Sequence, residues 1–143
     1  VSPSNFRQAS ASVNAAANAV TALLDGGRVQ LFDGMQPTSP DLPPSARTQM
    51  LAELELGRPA FYAADQGEAL AFPIETARAR ATGSATWFRA IRADGRAVFD
   101  GSVGLEGSDA DLVLGNTWIP LGSEVAIAQF VYVQPRSAME GIR

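Results

Sequence analysis

From Gly27 to Val133 the apolar residues recur mostly at every second position, in short runs cut by glycine, proline or Asp-Gly pairs. Side chains alternate across a strand, so each run reads as a strand with one face inward and each cut as a turn. Residues 29–32 form the first, stopped by Asp33-Gly34. Ala52, Leu54 and Leu56 alternate with Glu53 and Glu55 in the next, which Arg58-Pro59 ends. Phe61 and Tyr62 lead into an Asp65-Gln66-Gly67 turn and return as residues 68–72, before Pro73. Ala77, Ala79 and Ala81 then alternate with Arg78 and Arg80. Residues 84–92 make a strong strand with Trp87, Phe88 and Ile91, and Ala93-Asp94-Gly95-Arg96 reads as a primed hairpin turn. The return strand is residues 97–99, with Asp100-Gly101 as its stop or bulge. Residues 112–114 are a short strand, and residues 124–133 the longest, apolar on both faces and so expected to be covered on both. The pattern predicts a mainly β fold: an antiparallel β-sandwich or barrel-like domain of about seven or eight strands.

The front of the chain follows another period. Phe6, Ala9, Val13, Ala16, Ala17, Val20, Leu23 and Leu24 fall at steps of three and four, predicting one N-terminal α-helix over residues 5–24. Ser2 or Ser4 would cap it, Pro3 suits the first turn, and Asp25-Gly26-Gly27 would stop it. The expected organisation is a single domain: helix or arm at 1–26, β-sandwich body at 27–133, polar tail at 134–143. A narrow, alanine-rich stripe needs a larger surface to dock on, so the helix is expected to cover one end of a sheet. Residues 35–47 hold Pro37, Pro40, Pro43 and Pro44, a loop long for a compact domain.

Composition narrows the chemistry. The 143 residues contain no His, no Cys and, read along the chain, no Lys; all 11 basic residues are Arg. Ser-His-Asp and Cys-His triads, Schiff-base lysines, phosphate-loop lysines and thiolate or imidazole zinc sites are thereby excluded. The net charge of −4 argues against nucleic acid and anionic membranes as partners, and no apolar run approaches the roughly 20 residues of a membrane helix. Carboxylates are the acid–base groups left. Glu53 and Glu55 share a strand face with side chains about 7 Å apart, but a solvated face accounts for them. Asp109 and Asp111 lack the third ligand, the turn glycine and the bidentate glutamate of a calcium loop. The four Asp-Gly pairs, at 25, 33, 94 and 100, read as turn markers. No catalytic, cofactor-binding or metal-binding residue is expected, and the protein is not expected to be an enzyme.

Interaction residues are the remaining possibility. Arg78 and Arg80 share a face, and Arg89, Arg92 and Arg96 lie on the next hairpin; paired strands would gather their guanidinium groups into one cluster. Arginine is enriched at protein interfaces because its planar fork matches carboxylates. Trp118, before Ile119-Pro120, is a candidate exposed anchor. The interface candidates are Arg78, Arg80, Arg89, Trp118, Tyr132 on the closing strand, and Pro43 in the proline loop.

The segment Thr82-Gly83-Ser84-Ala85-Thr86-Trp87-Phe88-Arg89, followed by Asp94-Gly95, residues 98–104 and residues 111–114, resembles a group of small virion-associated proteins of tailed bacteriophages. These often carry an Ala-rich N-terminal helix, a Leu-Phe-Asp-Gly-like stretch with a proline-rich loop (here residues 31–44), and a closing strand of Val and Ile. The resemblance spans residues 5 to 133 and is sharpest at 82–104; the Arg78/Arg80 strand and the charged tail depart from it. It implies a capsid cement or decoration protein without catalytic residues, bridging the major capsid protein and forming a homo-oligomer. The implied location is the phage head, after assembly in the host cytoplasm. A head–tail connector or tail protein, or a carbohydrate-binding β-sandwich of a tail fibre using Trp118 or Tyr62, are the alternatives.

Overall fold

The computed structural model describes residues 5 and 7–135. The expected caps Ser2, Pro3 and Ser4, and residues 136–143 of the tail, lie outside these. Helix α1 runs Ser10–Ala22, later than the apolar stripe predicts, and starts from Ala9 in extended backbone without a side-chain cap. Val13, Ala17 and Thr21, four apart, are its buried row. Two asparagines fasten it: Asn14 Oδ1 accepts the Gly67 N–H and Asn18 Oδ1 the Ala64 N–H, each at 2.8 Å. After the helix, Asp25 Oδ1 accepts the Ala60 N–H (2.8 Å) and the Gly26 N–H donates to Gly57 O (2.9 Å). The expected helix stop thus also joins the helix to a segment more than thirty residues on.

Eleven strands follow among the described residues. They are β1 (Arg28–Phe32), β2 (Met50–Glu55), β3 (Glu68–Leu70), β4 (Ala77–Arg78), β5 (Gly83–Ser84), β6 (Trp87–Ile91), β7 (Ala97–Leu105), β8 (Leu112–Leu114), β9 (Trp118–Ile119), β10 (Glu124–Val125) and β11 (Ile127–Val133). Seven make one mixed sheet in the order β2-β1-β6-β7-β8-β11-β3, and β10-β4 and β5-β9 are two-stranded additions. The fold is the mainly β, single-helix architecture expected. Register puts Val29 opposite Ala90, Leu31 opposite Phe88 and Phe88 opposite Gly101, which sets one face inward. Leu54, Phe61, Ala69, Leu112 and Phe130 join that face in a single apolar core. Phe88 and Phe130 meet edge to face there with centroids 5.3 Å apart, and Phe61 meets Phe130 at 5.2 Å. Edge-to-face packing suits the ring quadrupole.

Three expectations are corrected. The turn after β6 is not primed: only Gly95 has positive φ (91°), and its N–H donates to Arg92 O, so an ordinary turn closes on a left-handed glycine. Asp100-Gly101 neither stops nor bulges its strand, because β7 runs through it to Leu105. The closing strand is not covered on both faces. It divides into β10 and β11, a register shift lies between Ile127 and Gln129, and Ala128, Gln129 and Val133 are exposed.

One connection is unusual. β8 lies parallel to β7, Val103 opposite Leu112 and Leu105 opposite Leu114, although only residues 106–111 join them. Parallel neighbours ordinarily need a crossover of a dozen residues or more. Here the chain doubles back over its own strand at Gly104, where a Cβ would lie 2.4 Å from Ser108 Oγ and 2.9 Å from Ala110 Cβ. Ser108 Oγ donates to Leu105 O (2.6 Å), and Asp111 Oδ2 accepts both the Ser102 N–H (2.9 Å) and its hydroxyl (3.1 Å).

Candidate functional site

The proline loop and the Trp118 segment are far apart in sequence, yet the strands bring them to the same end of the sheet. Phe32 O accepts the Thr86 N–H (2.9 Å), Thr86 Oγ1 donates to Gly34 O (2.7 Å), and the Ala85 N–H donates to Thr117 O (2.8 Å). β5 then pairs with β9, Ser84 opposite Trp118. Three large apolar side chains stand out of this framework: Met35 is 84% exposed, Leu121 66% and Trp118 54%. The main chain at the last two is held firmly, since the Trp118 N–H donates to Asn116 Oδ1 (3.0 Å) and the Leu121 N–H to Thr82 Oγ1 (2.8 Å). Pro43 is exposed within the loop, whose outer part also displays Leu42.

Of the arginines, Arg78 belongs to this region. It lies on β4 opposite Glu124, and its Nη1 donates to Gly122 O (3.0 Å) in the turn after Trp118. Arg80 turns instead to Glu53 (Nη2 to Oε1, 3.2 Å), a carboxylate that also receives Gln30 Nε2 (2.9 Å) and faces Arg28 Nε (3.3 Å). The expected guanidinium cluster does not form, because β4 pairs with β10 and not with β6.

Arg89 is placed inside the protein. Its Nε and Nη2 grip Asp100 Oδ1 and Oδ2 at 2.7 and 3.0 Å, and its Cζ lies 5.5 Å from the Trp87 ring centroid. The side chains of Arg89 and Asp100 are only 7% and 2% exposed. Both are therefore occupied in holding β6 to β7, whose register places them directly opposite. Trp87, on the same face, stacks on Phe32 (4.3 Å) and donates from Nε1 to Asp33 O (3.0 Å).

Tyr132 lies away from the Trp118 end, on β11, with its ring stacked on Phe99 at 5.3 Å and its hydroxyl donating to Gln134 Oε1 (2.8 Å). Burial pushes its phenol above the ordinary value of 10.0. Period-two reading missed the cleft beside it, because that cleft arises from the shortness of β8, and the pairing of strands is not written in any single run of residues. The carboxylates have structural partners at several positions: Glu53 and Asp100 in ion pairs, Asp33 on the Gln49 N–H (2.7 Å), Asp111 on Ser102. No group of three or more Asp and Glu among the described residues is placed to hold a metal ion. No helix among them is long and apolar enough to cross a membrane.

What these residues define is a β-domain with a firmly framed apolar end. Comparison with protein-family models, with curated proteins and with solved structures finds no match.

Proposed function

We propose that this chain is a non-enzymatic structural protein of a tailed-phage particle, a capsid cement or decoration protein that bridges major capsid subunits and its own copies. The observation that carries the reading is the exposed set Met35, Trp118 and Leu121 on a hydrogen-bonded frame, beside a proline-rich loop. Apolar anchors held in place before contact lose little freedom on binding, which favours their use as interface hot spots. Arg78 beside them supplies a planar donor for a partner's carboxylate. The phage setting comes from the sequence resemblance around residues 82–104, and the position on the shell from the role such proteins play.

Quantitative mass spectrometry of purified particles, measured against the major capsid protein, tests it. About one copy per shell subunit is the expected result. A copy number near that of a single ring would move the protein to the connector or tail, and absence from particles would refute the virion reading.

One further observation favours a second reading. Tyr62 is exposed and stacks on Phe72 at 3.8 Å, beside a groove of about 340 Å³ that also includes Leu70, Pro73 and Gln129. An exposed ring next to a groove is a platform on which a sugar face can stack, as a tail-fibre domain would use it. Glycan binding abolished by Tyr62→Ala is its test.

A further inference from the structure

Among the described residues, no strand lies between the first half of β7 and the last half of β11. β8 separates these two strands only from Leu112 onward, where it meets Val103 on one side and Phe130 on the other. Two strand spacings amount to about 10 Å, so the opening below Leu112 is one strand wide. Its edges carry main-chain groups. The Ser102 N–H points into it, where Asp111 Oδ2 accepts it, and alternation turns Asp100 the same way. On β11, Phe130 O and the Gln134 N–H bond to Ala71 and Gly67 on the far side, so Val131 and Val133 face the opening.

Aromatic rings form the floor. Phe99 and Tyr132 stack across the opening at 5.3 Å, and Phe88 and Phe130 meet Phe99 edge-on at 6.1 and 6.2 Å. The cavity over them is about 290 Å³. It adjoins a second groove of about 370 Å³ through Asp111, Val131 and Val133, and that groove adds Glu68, Glu106 and Asp109. No arginine lines either one among the described residues. The trough is therefore aromatic at one end, acidic at the other, and bordered by strand edges.

We propose that this trough takes an extended, arginine- or lysine-bearing segment of a partner protein as an added strand. Main-chain groups of Asp100, Val131 and Val133 bond the segment, and its cationic side chain lies between the rings and the carboxylates of Asp109 and Asp111. Strand addition uses main-chain bonds for affinity and side-chain pockets for selection. A cation is attracted to the faces of aromatic rings, more strongly when water is excluded. Ligand pockets generally span roughly 300–1,000 Å³, so a cavity of this size suits a side chain better than a free cofactor. The proposal goes beyond the particle assignment and does not depend on it.

The test titrates the full, isotope-labelled chain with two acetylated heptapeptides, one alternating Val and Arg and the other Val and Glu, followed by amide chemical shifts and calorimetry. The Val/Arg peptide is expected to shift the amides of residues 100–102 and 131–133, while the Val/Glu peptide does not. Val133→Lys, at an exposed position, is expected to weaken binding about tenfold or more through like-charge repulsion, and Val133→Thr to retain it. Equal binding of both peptides, shifts confined to other residues, no effect of Val133→Lys, or no binding at millimolar peptide would each overturn the proposal. So would an oligosaccharide shifting these amides where the Val/Arg peptide does not.

Discussion

Replacing Gly101 with alanine sets two effects of opposite sign against each other. Glycine within a strand is roughly 0.5–1 kcal/mol less favourable than alanine for reasons of chain entropy, so local preference alone predicts a more stable protein. The surroundings predict otherwise. A Cβ at position 101 would sit 2.5 Å from Phe88 Cε1, 2.8 Å from Cζ and 2.9 Å from Asp111 Oδ2. Phe88 has little room to give, being 1% exposed and wedged against Phe99 and Phe130. Asp111 is held by Ser102. Overpacking a closed site costs about 1–3 kcal/mol, and two rigid neighbours place this one near the top of that range. The net expectation is a loss of about 2 kcal/mol, or roughly 4–8 °C in Tm for a chain of this length. Urea unfolding followed by tryptophan fluorescence measures it. Gly115→Ala is the control, since nothing lies within 4 Å of its Cβ position, and it is expected to change stability by less than about 0.5 kcal/mol. Phe88→Leu removes the ring atoms in conflict, so the double variant should lose less than the sum of the singles. A Gly101→Ala protein as stable as the parent would refute the packing argument.

Arg89→Met leaves the Asp100 carboxylate buried and unpaired, and is expected to cost about 3–5 kcal/mol by chemical denaturation, with Arg89→Met/Asp100→Leu recovering most of it. Failure of the double variant to recover would mean that the pair contributes more than mutual neutralisation. Trp118→Ala should leave stability within about 0.5 kcal/mol. On the proposed capsid role it should still weaken attachment to capsids by roughly tenfold or more, since covering its exposed half buries on the order of 100 Å²; unchanged sedimentation with capsids would remove Trp118 from the proposed interface. The raised Tyr132 phenol fixes a sign in alkali: the unfolded chain ionises near 10.0 while the folded one stays neutral, so stability is complete below that pH. It falls as pH rises through the higher folded value, and Tyr132→Phe should flatten that part of the Tm–pH curve.

Local features were legible where a residue's role depends on its neighbours in the chain. The runs around Val29, Leu54, Phe88 and Leu112 became strands, and Asp65-Gln66-Gly67 became the turn of a hairpin, with positive φ at both Gln66 and Gly67. Features that depend on distant partners were misread. Asp100-Gly101 carries the chemistry of a turn, but the carboxylate serves Arg89 and the missing side chain makes room for Phe88. Both requirements come from β6, across a strand pair. Arg78 and Arg89 looked like members of one cluster because their strands are close in sequence, whereas the sheet order separates them. Trp118 is exposed, as the sequence predicts, since a tryptophan at a two-residue strand beside a turn has little core to enter. The cleft beside Tyr132 had no signal of its own.

The order of strands also bears on how the chain reaches this state. In the large sheet β6 and β7 are antiparallel neighbours joined by residues 92–96, with β8 following after residues 106–111; β1 and β2 must close a loop of residues 33–49, and β1 finds β6 across more than fifty residues. Closing the shorter loop costs less entropy, so the central hairpin is the natural template, receiving β1 on one edge and β8 on the other. Its amides are expected to gain protection first in pulsed hydrogen exchange during refolding. On a ribosome, where synthesis runs from the N-terminus, β1 and β2 emerge well before the edge they join. The early half of this protein therefore waits with an open strand edge until Trp87–Ile91 has left the exit tunnel, and that interval is when it most needs shielding from other chains.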